Sequence, residues 1–267
     1  MTDRTGRDDR TLSSAPVWER TYDRLSVGAY PSPAALGAAG AAEFARILRA
    51  MPLTRDVVGV IFASANSQLS FLGALRARRD IDWQRVHVLH MDEYLGMPPG
   101  HPASFRRFLD DELIRWVRPQ AFHRIGGDAA DPAEEIERYS ALLRELEPSI
   151  CVLGIGENGH LAFNDPPADF TTGDLVHRVE LDAACRRQQW GEGHFPNLDD
   201  VPREALSLTV PALLSARHIL CIAPGRRKAG AVKAALEGPV SADCPASILR
   251  TVSAARLYLD TDSAALL

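Results

Sequence analysis

Three stretches of this chain place residues able to move protons or hold an anion just beyond apolar runs. The longest spans residues 151–166. There Cys151, Val152 and Leu153 lead into a loop with Gly154, Gly156 and Gly159, and His160 stands between Asn158 and the Asn164-Asp165 pair. An imidazole flanked in this way is a candidate acid/base, and a purely structural histidine is the alternative. A second stretch, Asp92-Glu93-Tyr94, follows the apolar run 86–91. Two adjacent carboxylates in that position call for partners, because burying either one unpaired is costly. One of them can be a general base where its surroundings raise its pKa; helix capping or a solvated loop is the other reading. The third stretch, Ser64-Ala65-Asn66-Ser67, follows the run 57–62. Small residues there let backbone N–H groups approach an anion at the start of a helix, or simply turn the chain.

The elements that must position these residues follow from periodicity. Val57 to Phe62, Val86 to Met91, residues 151–153, Ile219 to Ala223 and about 256–260 are short apolar runs suited to strands buried on both faces. Between them, helical spacing marks the segment from Ser32 with Leu36, Phe44, Ile47 and Leu48, and the segment 68–78. His101-Pro102 is expected to open a helix with Phe105, Phe108, Leu109, Leu113 and Trp116 on its apolar face. Asp131-Pro132-Ala133-Glu134 reads as a cap, a first-turn proline and an acidic first turn, with Ile136, Tyr139, Leu143 and Leu146 facing the core. Residues 207–214 are expected to bring the chain back to the sheet, and a further helix carries Val232 and Leu236. Strands alternating with helices predict an α/β fold: a single-domain, Rossmann-like, doubly wound and mostly parallel sheet with helices on both faces. Residues 1–20 read as a loose arm before a domain over 21–267, and the polar stretch 166–204 as a long lid loop.

Composition closes off several classes of function. A net charge of -5 with no basic run argues against nucleic acid as a partner. The apolar runs are far shorter than a membrane span, and the polar first ten residues show no secretory signal. Cys151, Cys185, Cys221 and Cys244 have no metal-ligand spacing, which favours reduced thiols and a cytoplasmic chain. His87 and His90, three apart on a strand, point to opposite faces and cannot share an ion. With no HExxH, no P-loop and no GxGxxG, neither a metal nor a dinucleotide cofactor is expected.

Two motifs give the chain a resemblance. His90-Met91-Asp92-Glu93-Tyr94-Leu95-Gly96 with His101-Pro102-Ala103-Ser104-Phe105 resembles one signature of the glucosamine-6-phosphate deaminase/isomerase family. Gly154-Ile155-Gly156-Glu157-Asn158-Gly159-His160-Leu161-Ala162-Phe163-Asn164-Asp165-Pro166 resembles the other. Weaker similarity at 205–214, 225–229 and 236–238 extends the match over roughly residues 25 to 260.

The resemblance implies cofactor-free conversion of an amino-sugar phosphate to a ketose phosphate and ammonia. It makes Asp92 the base at C2, His160 the group that opens the ring and Asp165 the support of that histidine. Ser64, Ala65, Asn66, Ser67 and Lys228 become the phosphate site. Asn158 stands where the family has an aspartate beside the histidine, and Gln189 where the lid has an arginine, with Arg186 and Arg187 close enough to substitute. The basic stretch that forms the allosteric site of hexameric members has no match in 166–180, and a homo-oligomer is left open. Glucosamine 6-phosphate is the first substrate on this reading and galactosamine 6-phosphate the second. A 6-phosphogluconolactonase and a non-catalytic sugar-phosphate-binding protein are the alternatives.

Overall fold

The structure, a computed structural model, describes residues 15–52, 57–191, 193 and 195–267. Its strands in chain order are β1 (Trp18–Tyr22), β2 (Leu25–Tyr30), β3 (Val58–Phe62), β4 (Val86–His90), β5 (Asp92–Tyr94) and β6 (Ala121–His123). They continue with β7 (Ile150–Leu153), β8 (Val176–Glu180), β9 (Glu204–Leu208), β10 (His218–Ala223) and β11 (Ala255–Asp260). Among the described residues the main sheet runs β1-β2-β11-β10-β7-β3-β4-β6, parallel throughout except for β1, which pairs antiparallel with β2. From β3 the chain winds outward through β4 to β6, and from β7 it winds the other way through β10 to β11. The strand order therefore reverses between β3 and β7, and a crevice opens beyond the carboxyl ends of strands at such a switch point.

Alternation along the buried strands divides the interior into two layers. Ile61, Leu89, Cys151, Leu153 and Cys221 face a core shared with Tyr139, Leu143, Leu213 and Val232. Val60, Phe62, Val88, Val152 and Ile222 face the opposite core with Leu36, Phe44, Phe71 and Leu113. The second layer is built on α1 (Pro33–Ala50) and α2 (Leu69–Ala77), then on α3 (Phe105–Leu109), which passes through a π-helical turn, Asp110–Ile114, into α4 (Arg115–Val117). The first layer uses α5 (Pro132–Leu146), and then α7 (Val210–Leu214) and α8 (Ala229–Glu237), which follow the lid helix α6 (Ala183–Gly191). The helix starts obey local chemistry: the Ser32 hydroxyl accepts from Ala35 N–H ahead of α1, and the Asp131 carboxylate accepts from Ala133 N–H ahead of α5.

Several expectations are corrected. The arm expected over 1–20 lies outside the described residues for 1–14, but Trp18–Tyr22 is an edge strand of the main sheet. The helix expected from His101 begins only after Ser104, its N-cap. The π turn adds a residue to the helical cycle and rotates Trp116 out of the core face, leaving it 62% exposed. Residues 166–204 are not one irregular loop. They contain β8 and α6, and β8, β9 and β5 form a small antiparallel sheet of their own. The chain over 204–208 thus joins the lid layer and not the main sheet. Its third apolar cluster gathers Tyr94, Phe105, Phe163, Cys185 and Phe195. Among the described residues no helix is long and apolar enough to cross a membrane.

Candidate active site

The four adjacent strands β10, β7, β3 and β4 end around one cavity of about 470 Å³. Each contributes the loop that follows it. Ser64 to Gln68 come from the end of β3, Met91 and Asp92 from β4, Gly154 to Glu157 with His160 from β7, and Pro224 to Lys228 from β10. Gln188, Gln189 and Gly191 of α6 close the cavity from the lid side.

The two carboxylates after β4 have separate fates. Asp92 lines the cavity and is only 7% exposed. Glu93 points the other way and is fully enclosed, accepting from Ser104 Oγ (2.8 Å), the N–H groups of Tyr94, Phe105 and Arg106, and Arg106 Nε (3.2 Å). Burial pushes the Glu93 carboxyl up, and these donors with the Arg106 charge oppose that push. All five donate, so the ionised form is the one that satisfies them. Each reading offered for the pair therefore applies to one member: Glu93 anchors the start of α3, and Asp92 is left to face a ligand.

The β7 loop is folded around His160. Gly156 N–H donates to His160 O (2.9 Å), and the imidazole lies against Gly156 so closely that a Cβ there would sit 2.3 Å from ring atoms Cδ2, Cε1 and Nε2. His160 Nδ1 meets Asp165 Oδ1 at 3.1 Å. With the carboxylate as acceptor, the neutral ring carries its proton on Nδ1 and keeps a lone pair on Nε2, at the opposite edge. Burial resists ionisation of Asp165, but hydrogen bonds from His160 and Asn158 outweigh it and hold the carboxyl below its ordinary value.

Asn158 does not touch the ring. Its Nδ2 donates to Asp165 Oδ1 (2.9 Å) and its Oδ1 accepts from the His160 N–H (3.0 Å), so it positions both members of the pair. The ionic partner that the amide cannot supply comes from Asp165. Glu157 turns away, with its carboxylate 3.8 Å from Arg227. The far side of the loop is fixed by the buried Asn164, whose Nδ2 donates to Leu161 O (2.7 Å) and Leu208 O (2.9 Å). Between these anchors Ala162 is held at φ +52°, a left-handed conformation disfavoured for a residue with a side chain.

Another part of the lining suits an anion. Ser64, Ala65, Asn66 and Ser67 all line it, together with Arg226, Arg227 and Lys228. Ser64 Oγ is buried without a hydrogen-bond partner. Ser67 Oγ accepts from Gln68 Nε2 (3.2 Å), which leaves the Ser67 proton free to be donated. Gln68 was not expected; it is 1% exposed and its Nε2 also donates to Ile222 O (3.2 Å), tying the β3 loop to the end of β10. The cationic turn is formed by Gly225 at φ +96°, whose N–H donates to the buried Asp260 carboxylate at 3.0 Å.

The lid residues divide. Gln189 lines the cavity and accepts from Tyr94 OH (2.6 Å), and Gln188, also not expected, accepts from Glu157 N–H (3.1 Å). Arg186 is directed away from the cavity: its guanidinium donates to Leu198 O (2.7 Å) and Val201 O (3.2 Å) and braces the lid. Arg187 lines a separate hollow with Glu157, Gln188 and Arg227. Neither arginine takes the place foreseen for it, because helical geometry turns Gln188 and Gln189 inward instead.

A doubly wound sheet with a cavity at its switch point, lined by Asp92, by His160 and by three cations, defines a class of small-molecule enzymes acting on anionic substrates. The sequence model described as glucosamine-6-phosphate isomerases/6-phosphogluconolactonase matches residues 31–258, and the chain belongs to that family. It is 37% identical over 205 residues to a glucosamine-6-phosphate deaminase of Exiguobacterium sibiricum, covering 77% of this chain and 79% of that one. It is 32% identical over 215 residues to the glucosamine-6-phosphate deaminase of Listeria innocua, covering 80% and 90%. Among solved structures, a monomeric glucosamine-6-phosphate deaminase superposes with a TM-score of 0.82 at 27% identity, over 90% of this chain and 99% of the other. A 6-phosphogluconolactonase from Shewanella baltica superposes at 0.71 with 18% identity, covering 90% and 99%, and shares the fold.

Proposed function

We propose that the protein deaminates and isomerises an amino-sugar phosphate, glucosamine 6-phosphate first, to the ketose phosphate and ammonia. The observation that carries this reading is one cavity lined both by Asp92 and the Asp165-paired His160 and by Ser64 to Ser67 with Lys228. The phosphate is held by the loop 64–67 and Lys228, which fixes the sugar and brings C2 within reach of a small carboxylate. His160 Nε2 takes the proton of the anomeric hydroxyl and returns one to the ring oxygen, opening the ring. Asp165 stabilises the transient imidazolium. Asp92 removes the C2 proton and delivers it to C1 through an enolamine, and water then displaces ammonia at C2, so the overall reaction is a hydrolytic deamination coupled to isomerisation. Asn158 acts through Asp165 and is a positioning residue. The four free cysteines support a reducing, cytoplasmic setting.

The test is a panel of glucosamine 6-phosphate, galactosamine 6-phosphate and 6-phosphogluconolactone offered to the purified protein. Ammonia and ketose phosphate in equal amounts from an amino sugar are expected. Lactone hydrolysis without ammonia release from either hexosamine phosphate would replace this reading.

A further inference from the structure

The lid helix α6 carries a thiol to the rear of the histidine–aspartate pair. Cys185 is 1% exposed, and its Sγ, a ring nitrogen of His160 and a carboxylate oxygen of Asp165 all lie within 4.8 Å of one another. His160 Nδ1 and Asp165 Oδ1 are already 3.1 Å apart. The Cys185 thiol hydrogen-bonds the Asp165 carboxylate, whose Oδ2 is enclosed, so sulfur and carboxylate already face each other on the protein side of the site. The three residues are 5 and 20 positions apart in sequence and sit on two segments, so no ligand spacing announces them.

We propose that His160, Asp165 and Cys185 form a binding site for a thiophilic divalent cation of the zinc class, and that occupancy switches the enzyme off. One sulfur, one imidazole nitrogen and one carboxylate oxygen are a donor set that zinc accepts, with a fourth position left for water. Zinc bonds of roughly 2.0–2.3 Å put tetrahedral ligand atoms about 3.3–3.7 Å apart. The nitrogen–oxygen pair is close to that separation, and the sulfur reaches it by closing about an ångström. Binding releases the Cys185 S–H proton to solvent, the single imidazole proton moves from Nδ1 to Nε2, and no oxidant or reductant is involved.

The consequence for catalysis follows from the tautomer. A neutral imidazole metallated at Nδ1 carries its proton on Nε2, so the edge that accepts a proton in the active state becomes a donor. The ring then cannot take the proton of a substrate hydroxyl. The same ion bridges α6 to the β7 loop and holds the lid against it. Because the thiol proton leaves, apparent affinity rises with pH.

Cobalt(II) added to chelator-treated protein is the direct probe. A sulfur-to-cobalt charge-transfer band saturating at one equivalent is expected, displaced by zinc, lost in Cys185→Ser and Cys185→Ala, and kept in Cys244→Ser, whose thiol packs against Gly159 and is outside the ligand cluster. Zinc inhibition, scaled to each protein's own metal-free rate, should weaken at least tenfold in the two Cys185 variants. That inhibition arm rests on the proposed deaminase function, whereas the spectroscopic arm does not. Zinc-edge X-ray absorption on the wild-type protein decides without any variant: one sulfur with two or three nitrogen or oxygen neighbours supports the site. A first shell without sulfur, or an undiminished cobalt band in folded Cys185 variants, would overturn it.

Discussion

Replacing Gly156 by alanine should disable the site while sparing the fold. The added Cβ would stand 2.3 Å from three imidazole atoms of His160, and ordinary carbon contacts begin near 3.4 Å, so the ring must retreat by about 1 Å. The backbone cannot yield instead without breaking the Gly156 N–H to His160 O bond of 2.9 Å. The clash is on the ring face, so the ring retreats along its normal, which lengthens Nδ1 to Asp165 Oδ1 from 3.1 Å to only about 3.3 Å but tips the bond out of the ring plane and weakens it. Misplacement of a reacting group by about 1 Å costs on the order of 10²-fold in rate, or about 2.7 kcal/mol of barrier. The phosphate loop and Lys228 belong to other strands, so substrate affinity should change by less than about threefold. The assay is steady-state ammonia release with glucosamine 6-phosphate, giving kcat and KM separately. Gly173→Ala is the control, because nothing lies within 4 Å of its added carbon. A Gly156→Ala enzyme with kcat within threefold of wild type would refute the claim that the ring's seat on Gly156 sets its catalytic position.

Other substitutions probe neighbouring parts of the reasoning. Asp92→Asn should abolish exchange of the C2 hydrogen with solvent deuterium, by about 10²-fold or more, with binding of inorganic phosphate unchanged; exchange at the wild-type rate would remove Asp92 as the base. Asn158→Asp exchanges a donor 2.9 Å from Asp165 Oδ1 for a second carboxylate. The extra negative charge favours the imidazolium, so the acidic limb of the kcat/KM profile should move up by about one pH unit, and superimposable profiles would exclude the coupling. His90 is wholly enclosed, its Nε2 accepts from Ile125 N–H, and burial lowers its pKa to about 3. The unfolded chain takes a proton near pH 6.5 that the folded protein refuses, so stability falls as pH drops below 6.5 and continues to fall toward 3. The slope from this group approaches about 1.4 kcal/mol per pH unit. Urea midpoints between pH 7 and 5 should therefore fall less steeply in His90→Gln, and equal slopes would exclude His90 as a source.

The sheet was readable because its strands are buried on both faces, and such strands are continuous apolar runs whatever their neighbours. Residues 58–62, 86–90 and 150–153 lie within a residue or two of the expected runs. Helix starts with a capping side chain and a proline, at Ser32 and Asp131, were equally plain. The small sheet β5-β9-β8 was not, because three residues such as Asp92–Tyr94 carry no usable periodicity and acquire strand geometry only from their partners. Trp116 was misjudged because a single π turn, invisible in composition, changes the phase of everything after it.

For the site, the sequence alone offered His160, Asp165, Asp92 and the loop 64–67 as candidates, since chemistry at the end of an apolar strand leaves a local signature of type and spacing. What it could not decide is direction. Which of Asp92 and Glu93 faces the cavity depends on where the start of α3 lies, and that is settled by five donors converging on Glu93. Whether Asn158 weakens the histidine depends on which carboxylate reaches Nδ1, and the turn through Ala162 brings Asp165 there. The inward turn of Gln188 and Gln189, the outward turn of Arg186, and the arrival of Cys185 behind the pair all depend on how the lid helix docks. Residue types are local properties of the chain, but the side a side chain faces is fixed by packing between segments far apart in sequence, and only the folded molecule holds that information.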